Sequence, residues 1–245
     1  MLTGIIGGSG LAELDGLTIT HREVMRTQYG EPSGALTFGQ LCGRDVVFMN
    51  RHGPAHTIPP HRVNYRANLL SLKQAGACQV IAVNAVGGIS STLQPVDLVI
   101  PDQIIDYTYS REHTFFDSEH EPVRHIDFTY PFSESLRTTI IETASACKIE
   151  VIAGGTYAAT QGPRFETAAE IDRMERDGAT IVGMTGMPEA VLARELDLGY
   201  CMIAVVSNPA AGRSGSEISV EDIMSNLHAG MARVRDLFEE VIPVL

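Results

Sequence analysis

The chain has 245 residues, 44% hydrophobic and 20% charged, and its 30 acidic against 18 basic side chains give a formal net charge of −12. This balance fits a globular enzyme with a sizeable core, and without a Lys/Arg cluster it excludes a basic face for duplex nucleic acid. Cys42, Cys78, Cys147 and Cys201 include no C-x-x-C pair, so they are expected to be reduced, mostly buried thiols of a cytoplasmic protein.

Met1–Ile6 has no basic n-region and meets glycines at once, so it is expected to form a first strand rather than a signal peptide. The strand Gly4–Ile6 runs into Gly7-Gly8-Ser9-Gly10, where backbone N–H groups and the Ser9 hydroxyl suit a phosphate; a plain tight turn is the other reading. It is not a dinucleotide fingerprint, because Glu13 stands where the third glycine belongs. A second strand, Val46–Asn50, delivers Arg51 and His52 to its carboxyl end, the end at which open α/β sheets bind ligands. His52, His56 and His61 are separated by Pro54, Pro59 and Pro60 and cannot share a helix face, and no Cys or carboxylate joins them, which argues against a metal.

Asn64–Ala75 has a helical pattern that stops at Gly76. Gln74–Val96 carries no charge and is long enough to span a bilayer, but Asn84, Gly87, Gly88, Ser90, Ser91 and Thr92 make it a buried strand, Val80–Val86, and a turn. The Asn84-Ala85 backbone there either joins an anion site or simply turns. Leu98–Ile105 is the next predicted strand. Roughly Asp106–Tyr130 is irregular, rich in aromatics, and holds His113, His120 and His125; a loop this long is expected to be a lid or a subunit contact.

Ser133–Cys147 is a predicted helix, and Val151–Thr160 a strand closing into Gln161-Gly162-Pro163-Arg164-Phe165-Glu166. Phe165 offers a face to a base and Glu166 an acceptor for a ring N–H, although taken by itself first-turn helix charge is the favoured reading of Glu166. Thr167 and Glu170 form a possible capping box for a helix through Arg176. Thr180–Met184 is a strand ending in Met184-Thr185, Pro188-Glu189 opens a helix through Leu196, and Cys201–Ser207 is a strand breaking at Asn208-Pro209-Ala210. Ser219 and Asp222 begin the last helix. Strands alternating with helices, several of them apolar at consecutive positions, predict a single α/β domain over 1–245 with a mixed, mainly parallel central sheet flanked by helices.

Together Gly4–Leu11, Arg51-His52-Gly53 with His56-Thr57-Ile58, Val63–Asn68, Gly162–Phe165, and Met184-Thr185 with Pro188-Glu189 resemble the trimeric purine nucleoside phosphorylases, methylthioadenosine phosphorylase branch, over nearly the whole chain. The resemblance implies cleavage of a purine nucleoside by inorganic phosphate, with no metal or organic cofactor, no nucleic-acid or membrane partner, and a homotrimer. It makes Ser9, Arg51, His52, Asn84, Ala85 and Thr185 the phosphate cradle, with Met184 against the ribose, Phe165 against the purine and Asn208 at N7 of the leaving base. Branch members that prefer adenine carry Asp at the positions of Asn208 and Ala210; inosine- and guanosine-cleaving members carry the Asn and a match to Glu166. Where those relatives place a His for the 5′-hydroxyl this chain has Val220, with Ile218, Ile223 and Met224 nearby, an apolar end suited to methylthio. His125 matches a residue that reaches a neighbouring subunit's 5′ pocket. The implied substrate is 5′-methylthioinosine, giving hypoxanthine and 5-methylthioribose 1-phosphate; methylthioadenosine, inosine or guanosine are the alternatives, and a non-catalytic nucleoside-binding protein is a remote one.

Overall fold

Strands apolar at consecutive positions bury both faces. In the computed structural model, which describes residues 1–11, 14–117, 123–215 and 217–245, the central strands show this residue by residue. Ile5, Phe48, Ile81 and Val83 face one apolar layer, while Ile6, Met49, Val80 and Ala82 face the other.

The strands are β1 (Leu2–Gly7), β2 (Thr18–Glu23), β3 (Leu36–Leu41), β4 (Arg44–Asn50), β5 (Ala77–Gly88), β6 (Leu98–Ile100), β7 (Gln103–Asp106), β8 (Ile152–Ala153), β9 (Thr156–Ala159), β10 (Ile181–Gly183) and β11 (Gly199–Pro209). The helices are α1 (Tyr65–Gln74), α2 (Glu134–Ala146), α3 (Ala168–Arg176), α4 (Gly186–Glu195) and α5 (Val220–Val241). All eleven strands join one sheet, ordered β2-β3-β4-β1-β5-β10-β9-β7, with β11 on β5 and β6. Strand β5 is its spine: β1 and β11 run parallel to it, and β10 pairs antiparallel with Gly87 and Gly88 beyond the end of β1.

Helix starts follow local chemistry. Asn64 caps α1 through Ala67 N, Ser219 caps α5 through Asp222 N, and Thr167 with Glu170 completes the capping box of α3. In α4, Met187 is non-helical, so the regular turn begins at Pro188 as the sequence predicts.

Three expectations need correction. Leu98–Ile105 is two strands, because the chain leaves β6 at Pro101, which has no N–H for a ladder, and β7 takes a different partner, β9. Val151–Thr160 likewise divides at Gly154 and Gly155, both at positive φ. Of the cysteines only Cys201 is buried; Cys42, Cys78 and Cys147 are exposed, and all four are unpaired. The hairpin β2–β3, absent from the predicted elements, is added at the sheet edge.

Of the irregular stretch, the part before residue 118 is tied down. Tyr29 donates its hydroxyl to Phe115 O, Glu195 accepts from Thr114 Oγ1 and Phe115 N, and Arg66 pairs with Asp117 at 2.6 Å. His120 lies outside the described residues. No helix among the described residues is long and apolar enough to cross a membrane.

Candidate active site

The carboxyl ends of β1, β4, β5 and β11 share one rim, joined by the segments that follow β9 and β10. A cavity of about 710 Å³ opens there, a volume suited to a small ligand. Ser9, Arg51, His52, Ala85, Phe165, Glu166, Met184, Thr185, Asn208, Ala210 and Ile223 all line it.

One corner of the cavity starts from Arg51, which is fully buried. Its Nε and Nη2 donate to the two oxygens of Glu189 at 2.6 and 2.8 Å, Nη1 donates to Val83 O at 3.2 Å, and Nη2 reaches Asn84 Oδ1 at 3.4 Å. Five N–H donors minus these leave one Nη1 hydrogen for a ligand. Gly8 is required beside it, since a Cβ there would meet Arg51 Nη1 at 2.8 Å and Val83 O at 2.6 Å. Asn84 is not itself in the wall. It donates from Nδ2 to Thr185 Oγ1 at 2.8 Å, so the Thr185 hydroxyl proton is left to point at an anion. Tyr157 Oη accepts from the backbone N–H groups of Thr185 and Gly186, fixing the turn that presents Thr185. Ser9 Oγ lies 3.3 Å from His56 Nε2, which adds a second imidazole to the rim.

His52 Nδ1 donates to Ile58 O at 2.8 Å, so its neutral ring presents Nε2 to the cavity as an acceptor. Burial, reinforced by the Arg51 charge, lowers its pKa to about 4. An unfolded imidazole titrates near about 6.5, so between these values the unfolded chain binds the extra proton and stability falls as pH drops through that window. Urea midpoints measured from pH 7.5 to 4.5 are expected to fall steadily below pH 6.5, and less steeply in His52→Gln; parallel curves for the two proteins would contradict this origin.

The opposite corner of the cavity depends on a β-bulge. β11 pairs with β5 through Val206↔Val86 and then Asn208↔Gly87, leaving Ser207 as the extra residue. Ser207 Oγ donates to Asn208 Oδ1 at 2.8 Å, and Asn208 Nδ2 donates to Pro209 O at 2.6 Å. The Pro209 carbonyl can only accept, so it fixes Nδ2 on that side, and one Nδ2 hydrogen is left for a ligand. Glu166 Oε1 accepts from Thr160 Oγ1 at 2.6 Å, leaving its other oxygen available. Phe165, 44% exposed, stands at the mouth.

Besides Asn84, two residues named from the sequence lie outside the lining. Val220 is 64% exposed at the first turn of α5 and outside the lining, because the helix turns that position to solvent; Ile218, Ile223, Met224 and Leu227 supply the apolar wall. His125 is exposed and also outside it. Two residues went unrecognised: Glu189, indistinguishable in sequence from ordinary first-turn charge, and Arg111, considered below. A buried Arg at the end of an apolar strand demands a buried carboxylate, and that requirement was the available signal for Glu189. Among the described residues no group of three or more His, Cys, Asp or Glu is placed to hold a metal.

Glycine-rich and Arg-His turns at neighbouring strand ends and a carboxamide share one cavity, and the model of the Phosphorylase superfamily matches residues 3–243: the chain belongs to that family. A probable S-methyl-5′-thioinosine phosphorylase of Pseudomonas syringae pv. tomato is 51% identical over 238 residues, 97% of each chain. A probable 6-oxopurine nucleoside phosphorylase of Moorella thermoacetica is 43% identical, covering 99% of this chain and 93% of that one. Among solved structures, a methylthioadenosine phosphorylase from Schistosoma mansoni in complex with adenine is similar at a TM-score of 0.94 and 32% identity, covering 99% of this chain and 91% of that one.

Proposed function

We propose that this enzyme cleaves the N-glycosidic bond of 5′-methylthioinosine with inorganic phosphate, releasing hypoxanthine and 5-methylthioribose 1-phosphate. The observation that carries the reading is the oriented Asn208 carboxamide sharing one cavity with Glu166. A 6-oxopurine presents acceptors at N7 and O6 and a donor at N1–H. The remaining Nδ2 hydrogen of Asn208 suits N7, and the free Glu166 oxygen suits N1–H. Adenine would turn an N1 lone pair toward that carboxylate.

Phosphate occupies the corner of Ser9, Arg51, His52, Ala85 and Thr185, with Asn84 acting from behind Thr185. A hydrogenphosphate fits the polarity: its oxygens accept from Thr185, Ser9 and Arg51, and its one proton meets the acceptor Nε2 of His52. Met184 flanks the ribose and Phe165 the purine. As C1′–N9 stretches, the electron pair moves to the purine, Asn208 stabilises the charge gathering at N7, phosphate oxygen bonds to C1′, and the proton that hydrogenphosphate gives up balances the one the purine anion takes up to become hypoxanthine. The enzyme uses no metal or organic cofactor, so chelators are expected to leave the rate unchanged.

The apolar wall of Ile218, Ile223 and Met224 receives the methylthio group and offers no partner to a 5′-hydroxyl. Ile223→Ser is expected to raise KM for methylthioinosine about tenfold, the scale of one lost apolar contact, and to change inosine by less than about threefold on the same scale. Val220→Ser should leave both values unchanged; the opposite pattern would return Val220 to the wall.

We further infer a cytoplasmic homotrimer in which His125 approaches a neighbour's 5′ pocket. Three exposed unpaired thiols suit a reducing compartment, and exposed Val123 and Tyr130 flank His125 as an interface would. Light scattering of the purified enzyme reads the assembly directly. The reaction itself is tested by incubating enzyme and methylthioinosine with and without phosphate; hypoxanthine release that needs phosphate supports phosphorolysis, and equal release without it makes the enzyme a hydrolase.

A further inference from the structure

Arg111 is 8% exposed, and its guanidinium ties together segments far apart in sequence. Nη1 donates to Met184 O at 2.8 Å and Met187 O at 2.6 Å, with Tyr65 Oη at 3.4 Å; Nη2 donates to Thr160 O at 3.1 Å and Gln161 O at 2.7 Å; Nε donates to Gln161 Oε1 at 3.1 Å. All of these partners are neutral. Glu195, the carboxylate serving the same loop, is held by Thr114 and Phe115 and makes no ion pair with Arg111. Among the described residues Arg111 has no salt bridge at all.

Arg111 belongs to a buried cluster. Its Cζ lies 5.7 Å from the Tyr65 ring centroid, it holds the Met184 and Met187 carbonyls at the start of the helix that carries Glu189, and Tyr200 Oη donates to Glu189 at 2.8 Å. Arg51 and Glu189 cancel, so Arg111 leaves the cluster with one net positive charge beneath the Met184-Thr185 turn. An uncompensated buried cation is costly unless an anion arrives.

We propose that Arg111 is a positioning residue that supplies the net charge drawing phosphate into the cradle, a role that Arg51, its charge neutralised by Glu189, cannot fill alone. The guanidinium is itself held by the Thr160, Gln161, Met184 and Met187 carbonyls. This inference rests on the reading of that corner as the phosphate site.

The test is steady-state kinetics of the full-length enzyme and its Arg111→Gln and Arg111→Lys variants, varying phosphate at saturating methylthioinosine and then the reverse. Arg111→Gln is expected to raise the phosphate KM by about tenfold or more, the size of one partly buried charge interaction, while the nucleoside KM moves by less than about threefold, a change below 1 kcal/mol. Arg111→Lys keeps the charge without the fork and should return the phosphate KM toward wild type. Equal rises in both KM values, or no recovery in the Lys variant, would overturn the charge role. Should Arg111→Gln not fold, Arg111→Lys keeps the charge without the fork, and phosphate should lift its melting temperature as much as that of wild type; a clearly smaller lift overturns the proposal. Wild-type cleavage that ignores phosphate would remove the underlying reading as well. Phosphate-dependent wild type with an unchanged phosphate KM in Arg111→Gln removes only this inference.

Discussion

Glu189→Ala is expected to destabilise the enzyme more than any other single substitution considered. Both members of the Arg51–Glu189 pair are fully buried, at 2.6 Å, and removing one leaves a charge without a counter-ion. Breaking such a pair costs about 3–5 kcal/mol, which for a chain of this size lowers the melting temperature by roughly 10 °C. Tyr200 loses its acceptor at the same time, and its phenol, pushed up in pKa by burial and by Glu189, is left protonated and unpaired. Phosphate is expected to restore part of the loss, because it binds the folded state beside the bare guanidinium. Thermal unfolding of wild type and variant, each with and without phosphate, reads both effects. A melting temperature within 2 °C of wild type would mean that Arg51 finds other compensation, and the charge count behind the cradle would have to be redrawn.

The second large effect is at Asn208. Removing a donor aimed at charge that develops only in the transition state costs about 10²- to 10³-fold in kcat, so Asn208→Ala should lose activity on that scale with nucleoside KM little changed. Asn208→Asp is more informative. Its carboxylate would face Pro209 O, which Asn208 Nδ2 approaches at 2.6 Å, and it would face the O6 and N7 acceptors of a 6-oxopurine. Only the protonated acid can donate there, so the variant is expected to gain activity as pH falls from 8 to 6. A 6-amino group can donate to an Asp oxygen, which should raise the ratio of methylthioadenosine to methylthioinosine cleavage by about tenfold or more, one hydrogen bond's worth of discrimination. A pH-independent variant with the wild-type ratio would mean that Asn208 does not read the base.

Much of this was legible because the chemistry sits where the secondary structure changes. Val46–Asn50 followed by Arg51-His52, and Cys201–Ser207 followed by Asn208, each announce a buried strand by consecutive apolar residues and a ligand by the polar residue that ends it. The Thr167 capping box was equally local and is present as expected. What stayed hidden depends on distant partners. The edge strand β2 is exposed along its length and shows no apolar alternation to betray it. The bulge at Ser207 appears only when β11 is laid against β5. Val220 seemed part of the 5′ wall because position along the chain does not say which face of a helix turn meets the cavity. Arg111 binds carbonyls from 49 to 76 residues away, in a loop whose composition suggested only a lid or a contact.

Methylthioinosine preference requires a 6-oxopurine site paired with an apolar 5′ end. The most direct measurement is kcat/KM for methylthioinosine, methylthioadenosine and inosine in saturating phosphate. The highest value is expected for methylthioinosine: over methylthioadenosine because Glu166 and Asn208 match N1–H and N7, and over inosine by roughly 10- to 100-fold, the range that burying a methylthio group supplies. A higher value for methylthioadenosine would contradict the assignment of Glu166 and Asn208, and a higher value for inosine would contradict the apolar wall.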